Sequence, residues 1–305
     1  MSSQWARAAL SHSAFTGLSR AHLGNLIEEL AGPWAAQRES RLHERRHGER
    51  LRAAGAGRRH GLVFVDRVLV ALAHLRLDLT HAALAELFDV DRCTVTKAIG
   101  QIRPLLAARG FATPTGFRLR ILADVFAYAQ AEGVRLRLDG TEIQVRRPAA
   151  HRPGRRRFVS GKRRQNTHKC TVASDSEGRP LWVGAHRPGR MHDQTALKTE
   201  GIEDLLGQFP QVELSLDSGY QGLAKLDPKR IVVPPPKPGQ AASADEITVY
   251  QRARRHQSSE RICVEHAIAE IKTWRVLKRY HGRREHLNQT IDAVASLASD
   301  RAARR

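Results

Sequence analysis

The chain has 305 residues and carries 51 lysines and arginines against 31 aspartates and glutamates, a formal net charge of +20. That length can bury one large core or two modest ones, and the 3 cysteines, Cys93, Cys170 and Cys263, stand too far apart for a disulfide framework or a zinc knuckle. So positive a balance calls for a polyanionic partner, nucleic acid first among them, and no apolar run approaches the roughly 18 residues of a membrane span.

Residues 1–60 are rich in Ala and Arg, are broken by Gly17, Pro33, Gly55 and Gly57, and hold the charge run RESRLHERRHGERLR at 38–52. They are expected to form a poorly defined basic segment, helical in part. From Leu62 the pattern sharpens. Leu62, Val65, Leu69, Leu72 and Leu75 recur at three or four residues and make one apolar helix face. Thr80 is placed to cap a second helix that buries Leu84, Leu87 and Phe88. After Asp89-Val90-Asp91, a third helix capped by Asp91 sets Val95, Ile99 and Ile102 inward, and Pro104 is expected to end or kink it. A helical stretch around 117–131 precedes Gly133, where the period changes from about 3.6 to 2.

Val134, Leu136 and Leu138 then alternate as a strand that Asp139 closes. Strands at 168–174 and 180–186 flank the turn tetrad Asp175-Ser176-Glu177-Gly178, which predicts a hairpin. One helix is expected at 193–206, a strand at 212–216 closed by Asp217, and a short apolar run Ile231-Val232-Val233 stopped by three prolines. The last third is helical again from Ala244.

Three helices with a three-residue turn before the last match the helix-turn-helix plan, in which that helix enters the DNA major groove. Arg92, Thr94, Thr96 and Lys97 then face outward as candidate base and phosphate contacts. An ordinary three-helix bundle with a solvated polar face gives the same pattern; the charge of the chain favours DNA.

Against so basic a background, acids at strand ends stand out. Asp139-Gly140 and Asp217-Ser218-Gly219 each read, taken alone, as turns. A third acid, Glu265, falls on one helix stripe with Arg261 and Lys272, which lie at roughly 0°, 40° and 20° for Arg261, Glu265 and Lys272 at 100° per residue. An ion-pair ladder gives that arrangement too. Three carboxylates converge only where something neutralises them, and hard oxygen ligands select Mg²⁺, or Mn²⁺ in its place, two such ions serving phosphodiester displacement.

At this point the sequence resembles the DDE-type insertion-sequence transposases, in particular the insertion sequence five group and its Harbinger-like relatives. The motifs are LDGTEIQVRRP (138–148), FVSGKRRQNTHK (158–169), HRPGRMHDQTAL (186–197), LDSGYQG (216–222) and RICVEHAIAEIK (261–272), in the order of that family. The resemblance implies an α/β, RNase H-like catalytic domain of mixed sheet and flanking helices at 134–282, preceded by the all-α helix-turn-helix module at 61–110 and a helical linker at 111–133. Residues 283–305 follow as a C-terminal helix or tail. It further implies Asp139, Asp217 and Glu265 as the catalytic, metal-binding triad, with Arg261 and Lys272, at the basic positions on either side of the glutamate, holding DNA phosphate. Ser258 departs from the pattern, standing where many members carry a tyrosine. His192 and Asp193 lie in a stretch typical of the family, as a helix start or behind the metal ligands. The run Arg152, Arg155, Arg156, Arg157, Lys162, Arg163, Arg164 and Lys169 is expected to form a DNA-backbone surface.

The reading is a transposase that binds the terminal inverted repeats of its element, cleaves with about two Mg²⁺ ions, and transfers a 3′-hydroxyl to a target strand. Double-stranded DNA is its partner. It is expected to act as a homo-oligomer on DNA, in the bacterial cytoplasm at the nucleoid and away from membranes. Rival readings are a non-catalytic helix-turn-helix DNA binder, an RNase H-like endonuclease without strand transfer, and an RNA-associated basic protein.

Overall fold

The structure is a computed structural model that describes residues 3–50, 53, 61–149, 153–239 and 242–304. Its contacts divide the chain into two compact units. The first comprises residues 1–108 with the short return Trp274–Val276; the second takes Arg109–Thr273 and Leu277–Arg305.

The first unit is all helical: α1 (Ser3–Leu10), α2 (Ser13–Thr16), α3 (Arg20–Arg46), α4 (Phe64–Leu77), α5 (His81–Phe88) and α6 (Arg92–Ala108). Helix α4 is its axis, with every residue from Asp66 to Ala73 buried. Two of those residues are charged, so each is paired, as burial of an ion requires. Asp66 accepts Arg7 Nε at 2.8 Å and the Val63 amide at 3.1 Å, and Arg67 donates to the Leu62 carbonyl at 3.1 Å and to Gln101 Oε1 at 3.0 Å. The hydroxyl of Thr80 accepts the Ala83 amide, capping α5 as expected, and Asp89 ends that helix in the left-handed region at φ 53°. Much of the segment expected to be poorly defined is ordered helix, although most of 51–60 lies outside the described residues. Pro104 does not end α6, which runs on to Ala108. The amide that proline lacks costs the Gly100 carbonyl its helical partner, and packing through Val95, Ile99, Ile102 and Leu106 outweighs that loss.

The second unit begins where a linker was expected. Strands β1 (Phe111–Ala112) and β2 (Arg118–Leu119) form a small hairpin, and the following helix α7 starts at Leu122 rather than near Phe117. The remaining elements are β3 (Leu136–Val145), β4 (Thr167–Ser174), β5 (Pro180–Val183), β6 (Arg187–Pro188), α8 (Asp193–Lys198), α9 (Ile202–Gln208), β7 (Leu214–Ser215), α10 (Gln221–Ala224), β8 (Ile231–Val232), α11 (Ala244–Lys272), β9 (Arg279–Tyr280) and α12 (Leu287–Ala303). The sheet runs β5-β4-β3-β7-β8, with β6 beside β4 and β9 beside β3. Strands β4 and β5 continue antiparallel from β3, whereas β7 and β8 join it in parallel. This mixed sheet flanked by helices is RNase H-like, as the motifs imply. Helices α11 and α12 cover it, and β4 is buried along its whole length.

Two expectations change. Asp139 does not close a strand: β3 continues through it, since Asp139 pairs with Val172 and Gly140 with Thr171, and the ladder to β4 overrides the turn propensity of Asp-Gly. The helix expected at 193–206 is two, parted at Gly201, whose φ of 75° suits glycine. Among the described residues, no helix is long and apolar enough to cross a membrane.

Helix α12 is buried almost throughout, and its acids show how such a helix tolerates charge. Asp300 is 2% exposed and holds Arg109 Nη2 at 2.6 Å and also Arg118. Asp292 has no such compensation for its burial, which alone pushes its carboxyl up to about 7. Its neutral form therefore favours folding: that contribution is full below the ordinary value of 3.8 and is lost as pH rises through about 7. Asp292→Asn should raise folding stability at pH 8 by on the order of 2–4 kcal/mol and leave it unchanged at pH 3, by denaturant melts at both.

Candidate active site

Asp139 and Asp217 meet because of strand register. In the parallel pair β3/β7, Arg137 lies opposite Ser215, so the residues two places further on, Asp139 and Asp217, emerge side by side. Asp217 caps a single 3-10 turn, Ser218–Tyr220, and accepts the Ser218 amide at 2.6 Å. Oδ1 of Asp139 accepts the Gly140 amide at 2.7 Å.

Arg261 reaches both acids from α11. Its Nη1 donates to Asp217 Oδ1 at 3.0 Å and its Nη2 to Asp139 Oδ2 at 3.3 Å, so one guanidinium bridges the pair. Adjacent carboxylates raise one another's cost of ionisation, and the arginine offsets it. Burial is the stronger influence on Asp139 and holds its carboxyl above the ordinary range. Arg261 and the Gly140 amide pull it down; Asp217 and Asp193 push it up.

Asp193 is therefore part of the same cluster. Its Oδ1 receives Lys169 Nζ at 2.7 Å, and that ammonium also donates to the Met191 carbonyl at 2.7 Å. Gly140 makes room for it: a Cβ there would stand 2.8 Å from Asp193 Oδ1 and 3.4 Å from the Tyr220 hydroxyl. Tyr220 is 1% exposed and its hydroxyl has no hydrogen-bond partner among the described residues, and burial together with the three aspartates pushes its ionisation up. An orphaned donor beside three acids is a place for a bound atom that the protein itself does not supply.

Glu265 sits one turn beyond Arg261 on α11 and is exposed. The structure brings Asp139, Asp217 and Asp193 together. Glu265 is outside that ion-pair network, and among the described residues no three His, Cys, Asp or Glu side chains are disposed to hold a metal. The donor chemistry nevertheless suits a hard divalent cation, because Asp139 and Asp217 present carboxylate oxygens to a position already filled by positive charge. Lys272 is half-buried near Asp139, Glu142 and Cys170. Burial and Arg163 hold its ammonium below the ordinary value, against the pull of Cys170, Glu142 and Asp139. Burial pushes the Cys170 thiol up to about 12, so it is no nucleophile. Nδ1 of His192 accepts the Gln194 amide at 3.3 Å at the start of α8, and its ring is thus engaged as a cap.

The basic run forms the β3–β4 connection. Glu142 anchors that loop, accepting the hydroxyls of Ser160 at 3.0 Å and Thr167 at 2.9 Å. Arg156, Arg157, Lys162, Arg163 and Arg164 are exposed and Arg155 half-buried; Arg152 lies outside the described residues. Lys169 does not join them. It is 8% exposed because the inward face of β4 turns it toward Asp193, not toward solvent.

In the helical unit, Arg92, Thr96 and Lys97 are exposed at the start of α6 and Thr94 is half-buried, while Val95 and Ile99 point into the core. The Thr96 hydroxyl donates to the Arg92 carbonyl at 3.0 Å and meets His81 Nδ1 at 2.9 Å, which ties its rotamer to α5. Burial, with smaller repulsions from His74, Arg92 and Arg103, lowers His81 to about 4, so that ring is neutral at pH 7.

Sequence reasoning missed the bridge made by Arg261, which read as a phosphate contact, and the pairing of Asp193 with Lys169. The signal for the second was Gly140, a strand glycine beside a buried acid, which marks close approach of another group.

Residues 138–298 match the DDE superfamily endonucleases, and residues 60–112 match the helix-turn-helix of DDE superfamily endonucleases. The chain is 26% identical over 270 residues to a protein of Streptomyces albus G designated a transposase for insertion sequence element IS112, an alignment covering 87% of this chain and 84% of that one. No solved structure matches it.

Arg261→Gln leaves two acids facing each other without their cation. At pH 7 the variant should lose about 2 kcal/mol of stability relative to the parent, less than a fully buried pair because Asp217 is 40% exposed. The deficit should shrink as pH falls through the raised range of the Asp139 carboxyl, in paired denaturant melts.

Proposed function

The chain belongs to the DDE superfamily endonucleases, and we propose on that premise that it is the transposase of an insertion element. It recognises the terminal inverted repeats, cuts a DNA strand there and joins the freed 3′-hydroxyl to a target strand. The observation that carries this reading is the register match that sets Asp139 beside Asp217 under one bridging arginine.

Endonucleases of this superfamily generally use divalent metal ions. Mg²⁺, with Mn²⁺ able to substitute, would be held here by Asp139 and Asp217, with Glu265, which lies outside their ion-pair network, as the proposed third ligand, and two such ions would supply activation of the attacking oxygen and stabilisation of the leaving one in phosphodiester displacement. Everything else falls to the chain. Arg261 bridges the two aspartates and offsets part of the cost that burial puts on the Asp139 carboxylate. Gly140 leaves the space that Asp193 and the buried Tyr220 hydroxyl border. Lys272 and the exposed arginines of the 155–164 loop hold flanking phosphates as point charges and forks. Arg92, Thr94, Thr96 and Lys97 read and position the element's ends from α6. No covalent protein intermediate is needed. Synapsis of two DNA ends calls for more than one copy of the chain, so the working form is a homo-oligomer on DNA.

Incubated with Mg²⁺ and a duplex carrying the element's end, the protein should nick it and then yield joined products. Asp217→Asn should reduce both by at least about a thousandfold, and undiminished cutting would refute the assignment. Cleavage without joining would make it a nuclease alone. Arg92→Ala with Lys97→Ala should weaken end binding and flatten its log-log salt dependence by about 2, measured in EDTA.

A further inference from the structure

The first half of α11 borders a groove of about 480 Å³ that the reaction outlined above does not use. It is lined by the apolar and aromatic Pro238, Ile247 and Tyr250, by the cations Lys237, Arg254 and Arg255, and by Ser258. Arg254 Nη1 donates to the Tyr250 hydroxyl at 3.3 Å, which holds the ring and a cation together.

We propose that this groove receives an unpaired DNA strand next to the scissile phosphate and stacks a base on Tyr250; the inference rests on the transposase reading. The composition selects the ligand. A duplex seals its base faces in the stack and offers proteins phosphates and base edges, for which an apolar lining has no use. An unpaired strand offers phosphates and bare π-faces together, which is what cations beside an aromatic ring bind. Charge complementarity points the same way, since all three charged residues lining the groove are cations on a chain of net charge +20.

Position supports it independently. At 100° per residue, Ile247, Arg254, Ser258 and Glu265 fall within roughly 20° of one line along α11, and Arg261 lies about 40° to its side. The groove therefore leads straight to the residue that bridges Asp139 and Asp217. Tyr250 and Arg261 are about 16 Å apart along the axis, a distance that an unpaired strand spans in a few nucleotides. A strand lying in the groove is thus delivered to the aspartates with its register set by a stacked base some nucleotides away.

The test is equilibrium binding by fluorescence anisotropy in EDTA, which prevents cleavage. The probes share one duplex sequence and are either blunt or carry a six-nucleotide unpaired tail. The intact protein should bind the tailed probe at least about tenfold more tightly. Tyr250→Ala should abolish that preference without changing the salt dependence, and Tyr250→Phe should keep it. Arg254→Ala with Arg255→Ala should lower the log-log salt slope for the tailed probe by about 1.4 and leave the blunt probe unaffected. Asp217→Asn should retain the full preference, which separates failure of the groove from failure of the catalytic assignment. Equal affinity for blunt and tailed probes, a preference that survives Tyr250→Ala in protein of unchanged circular dichroism, or tighter binding of an RNA tail than of the DNA tail would each overturn the proposal.

Discussion

One guanidinium between two carboxylates organises the second unit. Arg261 comes from a long helix, Asp139 from the centre of the sheet and Asp217 from the end of a parallel neighbour, and the three meet only if register, helix phase and sheet order are all correct. Two acids so placed repel each other and resist burial, so the sheet tolerates them only with a cation in between. That same demand for positive charge is what makes the position suitable for a divalent ion, and a phosphate approaching it meets a site already balanced between acid and base.

The basic residues of the chain divide into two kinds. Arg7, Arg67, Arg109 and Lys169 face inward or toward a specific partner and hold the fold: Arg7 on Asp66, Arg67 on a carbonyl and Gln101, Arg109 on Asp300, Lys169 on Asp193. Others stand in solvent on the start of α6, on the loop after β3 and on the first half of α11. The excess of +20 is therefore carried largely by exposed residues, since Arg7, Arg109 and Lys169 are each matched by an acid.

Periodicity made much of the fold legible. The three helices from Phe64 to Ala108 follow from apolar spacing and from Thr80 as a cap, because those are local effects. The motifs from LDGTE to RICVE carried the mixed sheet and its family. What sequence could not show was decided across the chain. Asp139-Gly140 reads as a turn until β4 supplies a ladder partner, and Pro104 reads as a stop until its helix has a core to lie on. In the candidate site, Asp139, Asp217 and Arg261 were each visible as charges out of place, but their bridge depends on parallel register over only two residue pairs. Lys169 looked like one more base in a basic run. Strand alternation put it on the inward face, opposite an acid that no local pattern connects to it.

The central claim is that the position between Asp139 and Asp217 is a divalent-cation site for DNA cleavage. The direct measurement is anomalous diffraction from crystals of the full chain bound to an element end and soaked in Mn²⁺. The account predicts an anomalous peak held by carboxylate oxygens of Asp139 and Asp217, absent from crystals of Asp139→Asn. Mn²⁺ found only elsewhere, with Arg261 still bridging the two aspartates at saturating metal, would contradict it.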